Sequence, residues 1–395
     1  MKHLNFTLFL LSVGYLVIDA FCYKEFFKAS ATIWLLINPP AIPFAQKIAY
    51  MISWFGNEIL IVLLIGLCAA DTRRVRSMKV LCVSSIYGAI FIGIKKMLFA
   101  YPRPWWVFSE IKHMGCDRDY GRPSGHSEYT VFTYMLIYRE LFIRPRREHQ
   151  PQPEGASRRG TRYFFRNLFI LICFLVPASR FILGVHSLDQ VTGGVCWAYV
   201  SFSLYTRFLE DYFDKLFRAA IGGEWMKHWK YYLTITVLAN LITSYLPLIA
   251  YKFMIKFTAE QEQYWKLIFI ARCQNDKHYE GPLEMSLYRS TPISIMFGII
   301  YSLMFLPQKF QQQFLDMNLS LKMKIARVIV MAVIVEFGSF YVGKMLTFES
   351  DLIYYRYWLH EIVRLVIVGI FIAAICPICF YYLKLVGIKI EKEVS

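Results

Sequence analysis

Three short groups of basic, hydroxyl and imidazole side chains have the chemistry needed to bind a phosphate and transfer it. They are Lys96-x6-Arg103-Pro104, Pro123-Ser124-Gly125-His126 and Ser179-Arg180-x5-His186. Ammonium and guanidinium groups bind phosphate oxygens, and a glycine at a helix start lets backbone N–H groups approach an anion. A histidine can attack phosphorus or carry a proton near neutral pH. Together the groups contain the parts for phosphoryl transfer through a phosphohistidine.

Each group alone also fits an ordinary structural role. Basic side chains beside a membrane span commonly anchor it at the lipid headgroups. Pro123 and Ser124 fit a plain helix start, and Arg180 at membrane depth requires either a partner or a function. A functional interpretation therefore depends on whether the three groups meet, and hence on the elements that carry them.

Those elements are predicted to be transmembrane helices. The chain has 395 residues, of which 57% are hydrophobic and 18% charged, a composition far from that of a soluble domain. A spanning helix needs about 20 apolar residues. Ten segments qualify: 5–23, 52–70, 80–99, 126–142, 167–183, 187–206, 231–250, 291–307, 325–345 and 360–385. The sequence thus predicts an all-α polytopic transmembrane bundle with about ten spans, with a proline-interrupted interfacial or re-entrant segment at 29–48.

The distribution of positive charge predicts the orientation of the spans. The net charge is +16, but Lys and Arg cluster in short loops and form no continuous basic face, so nucleic acid is not an expected partner. The basic loops 71–79 and 139–166 are predicted to be cytoplasmic. The segments 100–125 and 184–186 then lie on the opposite side, as does 251–290. All three groups fall at or near that opposite face.

Other polar and aromatic residues on the same face have less specific interpretations. Trp105-Trp106 fits a platform for a sugar or headgroup, or an interfacial aromatic belt. The segment 251–290 fits a lid over the site or a loop lying on the headgroups. None of the nine cysteines has the paired spacing of a zinc or redox site, but Cys116 and Cys273 are on the same side, which permits a disulfide.

The three groups resemble the signature of a known family, the type 2 phosphatidic acid phosphatase superfamily. It also contains glucose-6-phosphatases, sphingosine-1-phosphate phosphatases and vanadium haloperoxidases. The resemblance divides the chain into an N-terminal anchor helix with an interfacial segment (1–51), a catalytic helical core (52–206) and a C-terminal transmembrane extension (207–395). The resemblance thus covers under half of the chain.

The resemblance implies a role for each matching residue. His186 is expected to attack phosphorus, and His126 to protonate the leaving oxygen and then to activate water. The residues expected to hold the phosphate oxygens are Lys96, Arg103, Ser124, Gly125 and Arg180. No metal or other cofactor is expected, because the cations neutralise the charge on the equatorial oxygens.

One position departs from the family pattern. Four residues after the nucleophilic histidine many members have an aspartate that orients the imidazole, whereas this chain has Gln190. The amide oxygen can accept the ring N–H, but it cannot stabilise an imidazolium as a carboxylate does. Asp189 would point about 100° around the helix from Gln190. Glucose-6-phosphatases resemble this chain in having Gln there. We therefore expect reduced or altered orientation of the His186 imidazole and not loss of activity.

The flanking sequences leave the substrate open. Residues 103–107 resemble glucose-6-phosphatases, whereas 54–58 and 120–124 resemble sphingosine-1-phosphate phosphatases. A lipid phosphate such as a long-chain-base phosphate or phosphatidate is favoured, because a site at the membrane face can receive a substrate laterally. A sugar phosphatase, a polyisoprenyl-diphosphate phosphatase and a non-catalytic membrane subunit remain as alternatives.

The expected partners and location follow from the same interpretation. The partners are membrane lipids and a phosphorylated lipid or sugar substrate, and the sequence gives no indication of an oligomeric state. By analogy with the family members that the chain resembles, we expect an integral protein of the endoplasmic reticulum with its site facing the lumen.

Overall fold

The computed structural model describes residues 2–37, 43–56, 58–70, 74–143, 156–221, 224–273, 281–307, 310, 317–346, 353–385 and 388–389. The chain divides into two compact units, each assembled from three separated stretches. The first unit comprises 1–60, 95–208 and 251–286, and the second comprises 61–94, 209–250 and 287–395. The division into anchor, core and extension stays a prediction about the sequence.

The described elements are almost entirely helical. The α-helices are α1 (Lys2–Ile37), α2 (Pro43–Ser53), α3 (Glu58–Ala70), α4 (Arg74–Tyr87), α5 (Lys95–Phe99), α6 (Pro104–Val107), α7 (Gly125–Tyr138), α8 (Ala156–Ile182), α9 (Leu188–Leu204), α10 (Glu210–Ile221), α11 (Glu224–Lys227), α12 (Trp229–Cys273), α13 (Pro282–Tyr288), α14 (Ile293–Phe305), α15 (Leu321–Met345), α16 (Ile353–Tyr355), α17 (Arg364–Ile370) and α18 (Cys376–Tyr382). Segments of π-helix occur at Gly88–Ile94, Arg139–Ile143, Tyr205–Leu209, Arg356–Val363 and Phe371–Ile375, and a 3₁₀ turn occurs at Trp54–Gly56. The described strands β1 (Met317–Asn318) and β2 (Ile388–Lys389) pair antiparallel.

Six helical segments of the described chain are long and apolar enough to cross a membrane. They are Phe6–Ile37, Arg76–Val107, Gly160–Ile182, Trp229–Cys273, Leu321–Val342 and Arg356–Tyr382. Each overlaps a predicted span, which confirms the all-α transmembrane bundle. The other four predicted spans are largely helical as well but are not among these six. The count of ten therefore stays a prediction.

The interfacial segment predicted for 29–48 is wrong in its first part. Helix α1 continues to Ile37, with a local departure from helical dihedral angles at Cys22 (φ −110°, ψ 15°). Trp34 is buried within the first unit, as a packed helix requires. The next helix begins at Pro43, where the missing N–H of proline breaks no intrahelical bond. The prolines between the two helices lie outside the described residues.

The loop predicted from residue 251 onward is also wrong over most of its length. Helix α12 continues without interruption to Cys273, far beyond the predicted span end at residue 250. The polar run 258–263 ends the apolar pattern, but residues 251–273 contain neither glycine nor proline and are rich in helix formers. The polar run therefore indicates a change in the surroundings of helix α12, and not the end of the helix.

Helix packing in the first unit brings the motif-bearing helix ends together. Helix α1 packs along α9, α7 packs against both α8 and α9, and α2 packs on α8. A Cβ at Gly194 of α9 would lie 2.9 Å from the carbonyl oxygen of Ser124, which immediately precedes α7. Glycine at this position therefore lets α9 approach the start of α7.

The second unit is held by close helix contacts and by an ion pair. Helix α14 packs on α17 and on α4, and α15 also packs on α17. A Cβ on Gly298 or on Gly369 would lie 2.9 Å from the Cα of the other glycine, so both positions exclude larger side chains. Lys79 pairs with Asp214 at 2.6 Å.

Candidate active site

The turn between α8 and α9 places His186 beside Arg180. Gly184 has a positive φ of 68°, and its N–H donates to Phe181 O at 2.9 Å. The N–H of His186 then donates to Arg180 O at 3.3 Å. A Cβ at Gly184 would also lie 2.9 Å from Lys112 O. Both the left-handed conformation and the close approach favour glycine here, which ends α8 and reverses the chain.

The two ring nitrogens of His186 have different partners. Nδ1 lies 3.2 Å from Gln190 Oε1, and Nε2 lies 3.1 Å from Arg103 Nη1. An amide oxygen can only accept a hydrogen bond, and a guanidinium can only donate one. These partners assign the proton to Nδ1 and leave the lone pair on Nε2. The unprotonated ring nitrogen therefore faces the cations.

Gln190 contacts all three motif regions. Its Oε1 also accepts from the N–H of Ser187 at 3.3 Å, and its Nε2 donates to Pro102 O at 2.8 Å. Its carbonyl oxygen accepts from the N–H of Ser124 at 3.0 Å. An aspartate would be one methylene shorter and could not donate to Pro102. The contacts thus give a structural reason for glutamine where the family pattern has aspartate, while its role in orienting His186 stays a prediction.

Asp119 holds two of the predicted phosphate-binding cations. Its carboxylate pairs with Lys96 Nζ through one oxygen and with Arg103 Nη2 through the other. Its carbonyl oxygen accepts from Arg103 Nε at 2.7 Å. All three side chains are buried, with 5% or less exposed. Asp119 therefore fixes the positions of Lys96 and Arg103 relative to each other.

Asp117 contacts the third cation. Its Oδ2 accepts from Arg180 Nη2 and lies 3.3 Å from Arg103 Nη1. Burial alone would raise the pKa of the Asp117 carboxyl, but the charges of Arg180, Arg103 and His126 more than offset that effect. The pKa of Asp117 consequently lies well below its ordinary value, and the side chain is an anion throughout the neutral range.

The second motif begins α7 as predicted. Ser124 is the N-cap, and its Oγ accepts from the Ser127 N–H at 3.5 Å and from the Ser127 hydroxyl at 2.9 Å. Gly125 is the first residue of the helix and His126 the second. His126 is half-buried, and its charge lowers the pKa of Asp117, so it belongs to the same cluster.

A known family matches over the region that holds all three motifs. Residues 78–214 match the family model described as the PAP2 superfamily. The chain carries a PAP2-superfamily segment. A solved structure to which the chain is similar is described as the first transmembrane PAP2 type phosphatidylglycerolphosphate phosphatase from Bacillus subtilis. That similarity is 19% identity with a TM-score of 0.40, over 52% of this chain and 96% of that chain. No curated protein matches the chain.

The family match confirms the predicted resemblance, and the first unit brings most of the predicted site residues of the PAP2 segment together. Direct contacts connect Arg103, His186 and Gln190, and the backbone of Ser124 joins them through Gln190. Shared aspartate partners join the remaining cations to Arg103. These aspartates were not predicted from the sequence. Their only sequence signal is Cys116-Asp117-Arg118-Asp119, two acids between the first and second motifs.

An ion pair also joins the first and second motifs of the PAP2 segment. Lys95, which precedes Lys96, pairs with Glu128 at 2.5 Å, two residues after His126. Both side chains are buried. Separating the two motifs would leave a buried charge without its partner, which is strongly destabilising for the fold. This contact therefore restricts how the two motifs can move apart.

Helix α1 supports the PAP2 segment from outside its matched residues. Arg122, next to the second motif, pairs with Asp19 of α1. Asp189 accepts a hydrogen bond from Ser30 of α1 at 3.0 Å, so it points away from His186 as its helical position predicts. The N-terminal helix is thereby attached to two of the three motif regions.

Neither interpretation of the tryptophan pair is correct. Trp105 is fully buried, and Trp106 is only 1% exposed, so neither ring is a ligand platform or a membrane-interface anchor. The Trp105 ring stacks on His113 with the centroids 3.9 Å apart, and Trp106 lies 5.7 Å from Trp265. The two tryptophan side chains are therefore part of the buried packing next to Arg103.

The end of α12 packs on the loop of the PAP2 segment that contains the aspartates. Cys116 and Cys273 form a disulfide with their Cα atoms 6.1 Å apart, as the sequence permitted. Tyr120 donates a hydrogen bond to Glu262. The candidate ligand atoms of His113, Cys116 and Cys273 lie within 4.8 Å of one another, but the disulfide removes the thiolates that would make a metal site of these three residues.

Proposed function

We propose that the chain is an integral-membrane phosphatase that hydrolyses a phosphate monoester through a phosphohistidine on His186. The observation that carries this proposal is the position of the His186 ring, whose Nε2 lies 3.1 Å from Arg103 Nη1 and whose Nδ1 lies 3.2 Å from Gln190 Oε1. A nucleophile, an orienting acceptor and a cation are thus preassembled. Phosphoryl transfer depends mainly on such positioning and charge stabilisation.

The proposed reaction has two balanced steps. In the first, His186 Nε2 attacks phosphorus, the bond from phosphorus to the substrate oxygen breaks, and His126 donates a proton to that oxygen. In the second, His126 takes a proton from water, the water oxygen attacks phosphorus, and the N–P bond breaks. Inorganic phosphate leaves and both histidines return to their initial state.

In this proposal the protein supplies the positive charge that the phosphate requires. Lys96, Arg103 and Arg180 are buried cations around the nucleophile, and the backbone N–H groups at the start of α7 add partial positive charge. Cations held in place before the reaction cost no reorganisation when charge develops on the phosphate oxygens. We therefore expect turnover without an added metal ion.

The protonation state of His186 predicts how the rate of phosphoenzyme formation depends on pH. Burial first, and then the charges of Arg103, Arg180 and Lys96, hold the pKa of His186 well below its ordinary value. A lowered pKa means that the ring loses its proton at a more acidic pH, so His186 remains neutral through neutral pH. Phosphoenzyme formation should therefore be constant as the pH falls through about 6.5, the ordinary histidine value.

This pH dependence can be measured in the variant His126→Ala with an aryl phosphate, whose leaving group needs no proton. Rapid-quench formation of phosphoenzyme then reports on His186 without the titration of His126. The second ionisation of the aryl phosphate, at about pH 6, is measured separately and corrected for. A remaining inflection near the ordinary histidine pKa of about 6.5 would contradict the neutral, buried nucleophile.

A lipid phosphate is the proposed substrate class. The PAP2 segment lies in a bundle of apolar helices, so a phosphate with a lipid tail can approach it from the bilayer. The burial of Trp105 and Trp106 removes the exposed aromatic platform that would have favoured a sugar. We propose the endoplasmic reticulum as the location, with the site facing the lumen, by family analogy alone.

A substrate panel tests the proposed function directly. Purified protein in mixed micelles is assayed for phosphate release from a long-chain-base phosphate, phosphatidate and glucose 6-phosphate. We expect hydrolysis of at least one lipid phosphate at a kcat/KM about tenfold or more above that for glucose 6-phosphate, inhibition by vanadate, and full activity in chelator. A preference for glucose 6-phosphate would favour the sugar phosphatase alternative, and a strict requirement for added magnesium would contradict the mechanism.

A further inference from the structure

An acidic side chain occupies the place where the proposed mechanism requires a substrate anion. Asp117 Oδ2 contacts Arg180 Nη2 and lies 3.3 Å from Arg103 Nη1. Both guanidiniums are assigned to the phosphate in the proposed function, on which this inference rests. We propose that Asp117 competes with the substrate: its carboxylate takes the place of a phosphate oxygen on the two guanidiniums, and the substrate binds by displacing it.

The contacts of Arg180 indicate that the Asp117 carboxylate satisfies only part of the hydrogen-bond donors of this guanidinium. Arg180 Nη1 donates to Ser53 Oγ at 2.7 Å and Nη2 donates to Asp117. The Nε–H is buried and has no hydrogen-bond partner among the described residues. Nε and Nη2 share one edge of the guanidinium and match two oxygens of a single phosphate. A phosphate on this edge satisfies a donor that Asp117 leaves unsatisfied, which favours the exchange.

The two aspartates differ in how easily they can be displaced. The Asp119 side chain is 5% exposed, and both of its oxygens are paired with cations. The Asp117 side chain is 25% exposed, and both of its contacts with Arg103 and Arg180 are made by a single oxygen. Asp117 can therefore turn toward water without burying an unpaired charge, whereas Asp119 cannot.

The backbone around Asp117 restricts the displacement to the side chain. Cys116 is bonded to Cys273 through the disulfide. On the other side, the guanidinium of Arg118 lies 5.7 Å from the centre of the Phe269 ring, also on α12. The loop is thus attached to α12 on both sides of Asp117. After displacement the carboxylate stays near the bound phosphate, and its charge continues to oppose binding of a dianion.

The substitution Asp117→Asn tests the proposal by removing the charge while keeping the size. We expect the inhibition constant for vanadate and the KM for the substrate each to fall about tenfold, because two guanidiniums lose their internal anion. The kcat should change less than KM, since the competition acts on binding. Asp117→Glu is the matched control: it keeps the charge, so its vanadate inhibition constant should stay within about threefold of that of the wild type.

Other outcomes would overturn the proposal. An Asp117→Asn enzyme with an unchanged or raised vanadate inhibition constant and a reduced kcat would make Asp117 a positioning residue. A structure of the wild-type protein with bound vanadate provides a second measurement that needs no variant. The carboxylate should be withdrawn from Arg180, and its retention on Arg180 beside the bound oxyanion would refute the exchange.

The vanadate experiments also separate this inference from the proposed function. If the wild-type protein hydrolyses a lipid phosphate but Asp117→Asn binds vanadate no more tightly, only the inference fails. If the wild-type protein hydrolyses no phosphate ester, the proposed function fails. Tighter binding of vanadate by Asp117→Asn, measured by calorimetry on the purified protein, would still support the exchange in that case.

Discussion

The substitution His186→Ala is expected to reduce kcat by about 10⁴-fold or more, because it removes the nitrogen that forms the covalent intermediate in the proposed mechanism. His186 Nε2 is the ring nitrogen that carries a lone pair and faces Arg103, while Gln190 holds Nδ1. Alanine leaves the cations in place, so binding of the substrate should suffer much less than turnover. The measurement is kcat and KM for phosphate release from the best lipid phosphate of the panel.

The same variant distinguishes an enzyme from a non-catalytic subunit. Wild-type protein mixed with radiolabelled substrate and quenched in alkali should retain label, which acid should then release, as expected for a phosphohistidine. His186→Ala should retain no label. His228→Ala is the control, because His228 is exposed and lies outside the three motifs. Equal phosphate release by the wild type and His186→Ala would contradict the assignment and favour the subunit interpretation.

Much of the geometry of the candidate site was predictable because its signals are local in sequence. Each motif combines a helix end with polar side chains, and the signals are short: Ser124 caps α7, and Gly184 reverses the chain before His186. Helix ends of this kind depend on backbone requirements that a few residues satisfy. The transmembrane bundle was predictable for a related reason, since apolar runs of sufficient length have few alternative structures.

The partners of the cations were not predictable, because their pairing depends on the tertiary fold. Arg180 and Asp117 are separated by 63 residues, and Arg103 and Asp119 by 16. A single sequence contains acids and bases in several loops and does not indicate which of them meet. The same holds for Gln190, whose position suggested a weaker orienting group. Its amide N–H proves to have its own acceptor, Pro102 O.

The surroundings of the site were predicted incorrectly because composition was used to infer position. A polar run after residue 250 and two adjacent tryptophans both suggested a membrane surface. In the structure the polar run continues as helix α12, and the aromatic side chains of that helix cover Trp105 and Trp106. Hydropathy reports the transfer preference of a segment, and it does not report whether protein or lipid provides the environment.

The second large effect is expected from Asp119→Asn, which should lower kcat/KM by about 10² to 10³-fold. Asp119 pairs with Lys96 through one oxygen and with Arg103 through the other. An asparagine keeps one acceptor but turns N–H groups toward the other cation, so a buried positive charge loses its partner. The cost to folding should be about 3 kcal/mol, observed as a lower Tm of the purified protein. The larger consequence, in the proposed mechanism, is that Lys96 and Arg103 lose the positions from which they would stabilise the transition state.

The matched control for Asp119→Asn is the same substitution two residues earlier. Asp117→Asn also removes one negative charge beside Arg103, so a purely electrostatic effect of net charge would move both variants in the same direction. The structure predicts opposite directions: tighter vanadate binding for Asp117→Asn, and weaker binding with a lower kcat for Asp119→Asn. The difference follows from exposure and pairing, because one carboxylate is 25% exposed and the other is 5% exposed with both oxygens engaged. If Asp119→Asn kept wild-type kcat and bound vanadate more tightly, then both aspartates would be competitors for the phosphate, and the cations would need no internal carboxylate to position them.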